Sequence, residues 1–157
     1  MPPTKRDREQ RHWLRVRRRA RARLVQALYA WESTKEHATA FELVASRLWD
    51  DTSLGADERA FATPVVGYLA AGMVEIDKHI ADLTHNWRPE RIGGIERAVL
   101  RLAAAELLAP HDPAREATPP LVVIQEAVML AERFGSDASA RFVNGVLDAL
   151  GRRLGRL

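Results

Sequence analysis

Apolar residues along most of this chain recur at the three- and four-residue spacing of an α-helix. Between positions 17 and 31, one face of a helical wheel carries Ala20, Leu24, Ala27, Leu28 and Trp31. The same spacing recurs in five later stretches, at residues 41–49, 61–83, 95–108, 124–131 and 143–150. No stretch of any length alternates with the period of a β-strand. The pattern therefore predicts an all-α protein.

Residues that favour helix ends set the boundaries of these elements. The first helix is expected from about residue 17 to about residue 33, and Asp57 suits the N-cap of the third helix, which is the longest. Pro120 suits the first turn of the fifth helix, because proline there loses no helical hydrogen bond. Ser136 or Asp137 is expected to cap the last helix.

The fourth predicted helix, residues 95–108, is apolar nearly all round, which is typical of a central, buried helix. Glu106 falls on the same stripe as Ile95, Val99 and Leu102, so its carboxylate should point inward. A buried acid is usually paired or hydrogen-bonded, and we expect this structural role rather than a catalytic one.

The charges of the chain are unevenly distributed. The net charge of the whole chain is +3. Residues 1–23 hold ten basic and two acidic side chains, a balance of +8, and the remaining residues hold 14 basic and 19 acidic side chains, a balance of −5. Such a basic segment predicts a polyanion partner at one end of the molecule. We interpret residues 1–16 as a mobile basic arm and residues 17–157 as one helical domain.

Several function classes lack support in the sequence. The chain has no Cys, its five His residues show no metal-ligand spacing, and Gly93-Gly94 lacks the context of a phosphate-binding loop. We therefore expect no enzyme activity, no metal and no cofactor. Because no apolar run approaches the roughly 20 residues that span a bilayer, we also expect a cytoplasmic protein without a membrane partner.

The last helix carries polar and small residues opposite its apolar stripe. These include Arg141, Asn144 and Gly145, with Phe142 at the boundary. A cation beside a partly exposed aromatic ring suits unstacked RNA bases, which need a stacking surface and phosphate contacts. For Gly145, close packing against another helix of the same chain is an equally good explanation.

Taken together, these stretches resemble the NusB family of transcription antitermination factors. The resemblance covers nearly everything from Arg17 to about Leu150. It depends on the Arg-rich strip with the helix that follows it, on the apolar fourth helix, and on two blocks near the C-terminus. These motifs are residues 17–21 with 25–31, 95–103, 124–131, and 134–135 with 142–148.

The resemblance implies two packed helical subbundles of about six to seven helices. It further implies a non-catalytic protein that binds the boxA segment of single-stranded RNA together with NusE, a ribosomal protein, on ribosomal RNA transcripts. Other Nus factors and the RNA polymerase complex would be further partners. Some relatives form homodimers, so a homodimer is also possible.

The residues that match the family's motifs carry its roles as expectations. RNA binding is expected for Arg17, Arg18, Arg21, Arg141 and Phe142. Contact with NusE is expected for Tyr29 and Glu96. Ala138 departs from the family pattern, which often has an acidic residue there, and this affects the expected RNA contacts at the start of the last helix.

Three other functions are compatible with parts of the sequence. Similar helical modules are attached to ribosomal RNA methyltransferases, but a Rossmann-type domain would have to follow. A regulator of double-stranded DNA could use the Arg-rich helix, although no helix-turn-helix spacing is present. A protein–protein scaffold could dock the basic helix on an acidic partner.

Overall fold

The computed structural model describes residues 1–33, 40–87, 92–110 and 117–157. Within these ranges the chain forms helices and no strand, which confirms the all-α prediction. The helices are α1 (Lys5–Ser33), α2 (Phe41–Thr52), α3 (Ala56–Leu83), α4 (Gly94–Leu108), α5 (Pro120–Phe134) and α6 (Asp137–Arg153). None of them has an apolar stretch long enough to cross a bilayer. The predicted connection at 34–37 and much of the proline-rich segment at 110–120 lie outside the described residues.

Helix α4 lies at the centre of the protein, as its apolar surface predicts. It packs against α1 and α3 on one side and against α5 and α6 on the other. Val99, Leu100 and Leu102 in its middle are fully or almost fully buried. Helices α1, α2 and α3 pack on one another, and α5 packs along α6, so the fold is two helical groups that share α4.

Helix α1 begins at Lys5, well before the predicted start near Arg17. A reciprocal cap explains the difference: the Thr4 backbone N–H donates to Asp7 Oδ2 at 2.9 Å, and the Asp7 backbone N–H donates to Thr4 Oγ1 at 3.1 Å. Two N–H groups that a helix start would leave unpaired are satisfied in this way. The low apolar content of this segment did not prevent a helix, because α1 continues into the packed part of the protein. The mobility of residues 1–16 stays a prediction.

The other helix starts agree only in part with the sequence patterns. Pro120 lies in the first turn of α5 and Ser136 caps α6, accepting a hydrogen bond from the Ser139 N–H at 3.1 Å, both as predicted. The predicted N-cap at Asp57 is wrong, because α3 starts at Ala56 with Gly55 at the N-cap. A glycine fits there because the Glu58 carboxylate folds back over it.

A network of charged and aromatic side chains joins α1, α2, α3 and α4 at the end of α1. Arg101 of α4 donates two hydrogen bonds to the carboxylate of Asp77 in α3, at 2.9 and 3.1 Å. Its guanidinium also lies 3.4 Å from Glu32 and 5.3 Å from the ring centroid of Trp31, both in α1. Trp31 packs edge-on against Phe41 of α2. These contacts fix the direction in which α1 leaves the core.

Candidate nucleic-acid and partner interfaces

Arg18 lies on the outer side of α1, where it pairs with Glu126 of α5. Its Nε and Nη2 donate to the Glu126 carboxylate at 3.1–3.2 Å. The Glu126 side chain is only 8% exposed, whereas Arg18 is 46% exposed. In the described part of the chain Nη1 has no hydrogen-bond partner. The guanidinium is therefore held in place along one edge, while the other edge can reach an anion in solvent.

Arg17 and Arg21 lie one turn apart on α1 and both approach the ring of Phe61 in α3. The guanidinium carbon of Arg17 is 6.0 Å from the ring centroid and that of Arg21 is 5.0 Å from it. Arg17 is partly exposed, and no ion pair involves it in the described ranges. It is therefore available for a phosphate, as the resemblance implies.

Arg21, unlike Arg17 and Arg18, is buried inside the protein. Its side chain is 2% exposed, and its Nε and Nη2 donate to the Glu106 carboxylate at 2.9 and 2.8 Å. A guanidinium buried and bonded in this way cannot touch RNA in this conformation. In this conformation Arg21 is the structural partner of Glu106, and its expected RNA contact stays a prediction. The same pair confirms that Glu106 is a buried, paired acid.

Phe142 of α6 contacts an aromatic residue that the sequence analysis did not single out. Its ring meets that of Trp87 edge-to-face, with centroids 5.0 Å apart and planes at 69°. Trp87 is 53% exposed in the turn after α3, and Phe142 is half-buried. The sequence Asn86-Trp87-Arg88-Pro89, in which Asn and Pro favour a turn or helix end, was the signal that could have identified Trp87 as an exposed ring.

Arg141 precedes Phe142 on α6 and is exposed, without an ion pair among the described residues. Gly145 one turn later is exposed too, and a Cβ built there meets no atom within 4 Å. Internal helix packing therefore does not explain this glycine, and this face of α6 is open. No contact joins Arg141 or Phe142 to Arg18, so whether the two groups form one continuous site stays a prediction.

Tyr29 and Glu96 come together at the start of α4. The Tyr29 ring, 44% exposed, lies against Gly94, where a Cβ would be 3.0 Å from ring atom Cε2. The carboxylate of Glu96 folds back over Gly93 and accepts a hydrogen bond from Ser139 Oγ of α6. Glu96 therefore also ties α4 to α6, and only Tyr29 presents a large exposed surface to a partner.

The acidic side chains near these interfaces are paired with other side chains. Within the described ranges no group of three or more His, Cys, Asp or Glu side chains converges on one point. The acidic residues of the interfaces, Glu106, Glu126 and Glu96, are each engaged by an arginine or a serine. The described side chains offer cationic and aromatic surfaces, which suit binding.

Comparison with known proteins gives a consistent result. The sequence model of the NusB family matches residues 18–152. The transcription antitermination protein NusB of Sorangium cellulosum is 38% identical over 142 residues, covering 90% of this chain and 96% of that protein. The protein of the same name from Myxococcus xanthus is 39% identical over 134 residues, covering 85% and 92%.

Solved structures agree with the sequence comparison. T. maritima NusB superimposes with a TM-score of 0.74 at 30% identity, over 87% of this chain and 90% of that one. A chain in the crystal structure of a plectonemic RNA supercoil also has a TM-score of 0.74, at 26% identity, over 88% and 96%.

Proposed function

This chain belongs to the NusB family of transcription antitermination proteins, and we propose that it binds boxA-type single-stranded RNA together with NusE on ribosomal RNA transcripts. The family consists of antitermination factors rather than enzymes. In this proposal the protein is an adaptor without cofactor or catalysis, and it acts in the cytoplasm, where nascent transcripts are available. Other Nus factors and the RNA polymerase complex would join through the same assembly.

The observation that carries the proposal is the arrangement of Arg18 on Glu126. The buried Glu126 carboxylate holds one edge of the Arg18 guanidinium. Because the side chain is already ordered, less conformational entropy is lost when its other edge binds a phosphate. Arg17, Arg19 and the basic residues before them would add phosphate contacts along the same helix. Phosphate contacts supply affinity, and base contacts supply sequence preference.

The base contacts in this proposal come from α6 and the turn after α3. Phe142 offers a partly exposed ring that packs edge-to-face with Trp87, and Arg141 precedes it on α6. Bases of single-stranded RNA stack on such rings, while duplex DNA keeps its bases stacked inside. The arrangement therefore favours single-stranded RNA over a double-stranded DNA target.

NusE would bind where Tyr29 lies against Gly94. Gly94 lets the Tyr29 ring pack against the start of α4 while 44% of the side chain stays exposed, and tyrosine is enriched at protein interfaces. Glu96 would contribute with the carboxylate oxygen that Ser139 does not occupy, or by holding α6 in position.

Measurement of RNA binding with and without NusE tests the proposal. We expect boxA-type RNA to bind more tightly than a scrambled RNA of equal length, and NusE to increase the affinity further. Three or four phosphate contacts to single-stranded RNA predict a log–log salt dependence with a slope of about −2 to −3. Equal affinity for scrambled RNA would reject sequence-specific binding, and no RNA binding even with NusE would favour a protein scaffold.

A further inference from the structure

A groove lies beside the Arg-rich strip, at the N-terminal half of α1. Its walls are the first halves of α1 and α3, the end of α4 and the start of α5, and its volume is about 900 Å³. Ligand-binding clefts in proteins measure roughly 300–1,000 Å³. One wall of the groove is the part of α1 before residue 17, which the sequence analysis interpreted as a mobile arm.

Three aromatic rings line this N-terminal groove. Trp13 comes from α1 and is 46% exposed, whereas Phe61 and Tyr68 come from α3 and are partly buried. Phe61 is also the ring that Arg17 and Arg21 approach. Rings and guanidinium planes are the surfaces on which unpaired bases stack.

The charge that the groove presents to solvent is positive. Among the described residues that line it, the acids are Glu106, which is paired with buried Arg21, and Asp57, which lies 3.0 Å from the His12 imidazole of α1. Arg17 and Arg156 outnumber the remaining acid, and Arg156 is held in place by a 2.7 Å hydrogen bond to the Leu107 carbonyl. The basic residues that precede Trp13 extend this positive surface along α1.

We propose that the N-terminal groove binds one or two unstacked bases of the RNA next to its core binding segment, with Trp13 as the stacking ring. This inference rests on the proposed function and extends it to a second contact region. An apolar protein segment in the groove would bury Arg17 and Arg156 without counter-charges, which is costly. The phosphates of an RNA would pair with both.

Stepwise extension of the RNA tests the groove. Binding of the full chain is measured by fluorescence anisotropy for a boxA-type RNA and for the same RNA with short uridine extensions at either end. We expect the extension at one end to increase affinity about tenfold, and Trp13→Ala to abolish that increase while leaving affinity for the core RNA unchanged. Trp13→Tyr should restore most of it, since the ring is kept.

Two controls make the result specific. Leu43→Ala removes another exposed apolar side chain, on α2 and outside the groove, and should leave the extension effect intact. Replacing the added uridines by abasic residues keeps the phosphates and should remove the increase in affinity, because nothing remains to stack. Circular dichroism of each variant verifies that helicity is retained.

The possible failures are distinguishable. If the core RNA binds but neither extension nor Trp13→Ala changes the affinity, the groove proposal is wrong and the proposed function stands. If no RNA binds, both fail. If Trp13→Ala weakens binding of NusE and not that of extended RNA, the groove belongs to a protein partner and the proposal is overturned.

Discussion

The guanidinium of Arg21 and the carboxylate of Glu106 face each other inside the protein, joined by hydrogen bonds of 2.9 and 2.8 Å. The pair joins α1 to the central helix α4. Arg21 is one turn from Arg17 and Arg18, both of which reach solvent. One helix therefore carries both buried and solvent-accessible arginines. The predictions below separate the arginines that support the fold from those that we propose to bind RNA.

Removing one member of the buried pair should destabilise the protein without a specific effect on RNA. Arg21→Ala or Glu106→Ala leaves an unpaired buried group, and we expect a loss of about 3–5 kcal/mol in the free energy of unfolding, measured by urea denaturation. The double variant Arg21→Met with Glu106→Leu should recover most of this stability. A stable single variant with strongly reduced RNA affinity would contradict the structural role.

Arg18→Gln should weaken RNA binding, because it removes one phosphate contact. The slope of log affinity against log salt should become shallower by about 0.7. Arg59→Gln is a matched control: Arg59 is 44% exposed and also paired with an acid, Asp50, but lies on α3 outside the strip. If both variants lose affinity equally, the effect is one of overall charge and Arg18 has no particular role.

Arg141 and Phe142 should affect RNA binding through different interactions. Arg141→Gln should lower the affinity and the salt dependence, whereas Phe142→Leu should lower the affinity by about 1–3 kcal/mol with the salt slope unchanged. Arg152→Gln is the control on the same helix, because Arg152 pairs with Asp148. Thermal unfolding must show that Phe142→Leu keeps the fold, since Trp87 packs on this ring. Unchanged RNA affinity in both Arg141→Gln and Phe142→Leu would exclude α6 from the interface.

Gly94→Ala should weaken NusE binding by displacing the Tyr29 ring. The added Cβ would lie 3.0 Å from Tyr29 Cε2, so the exposed ring must move. Gly67→Ala is the control, because a Cβ there meets nothing within 4 Å, and it should stabilise the protein by about 0.4–1 kcal/mol. Calorimetric titration with NusE measures the effect, and Gly94→Ala with full NusE affinity would remove Tyr29 from the proposed interface.

The start of α1 should depend on pH through Asp7. Hydrogen bonds from the Thr4 side chain and backbone hold the pKa of Asp7 below its ordinary value of 3.8. The carboxylate therefore stabilises the helix start above that value, and this contribution is lost as the pH falls through the lowered pKa. Thr4→Ala should raise the pKa of Asp7 and reduce amide protection in residues 5–16, both measured by NMR. Equal protection in the variant would show that the cap does not hold this segment.

The sequence by itself determined the helices and their buried faces. The spacing of apolar residues fixed which side of each helix turns inward, and the continuous apolar surface of residues 95–108 identified the central helix, because a helix without a polar face must be covered on all sides. It also determined that Glu106 points inward. These are properties of single helices, so the local pattern is sufficient to reveal them.

Only the tertiary structure decided which partner each charged side chain meets. Arg21 lies beside the apolar stripe of α1 and Arg18 lies farther round the helix, but nothing local shows that Arg21 meets Glu106 in the core and Arg18 meets Glu126 at the edge. The contact of Trp87 with Phe142 and the groove beside Trp13 likewise join residues from distant parts of the chain. Such contacts depend on how whole helices pack. The helical spacing of residues predicts the direction in which a side chain points, but it does not predict which residue of another helix lies opposite.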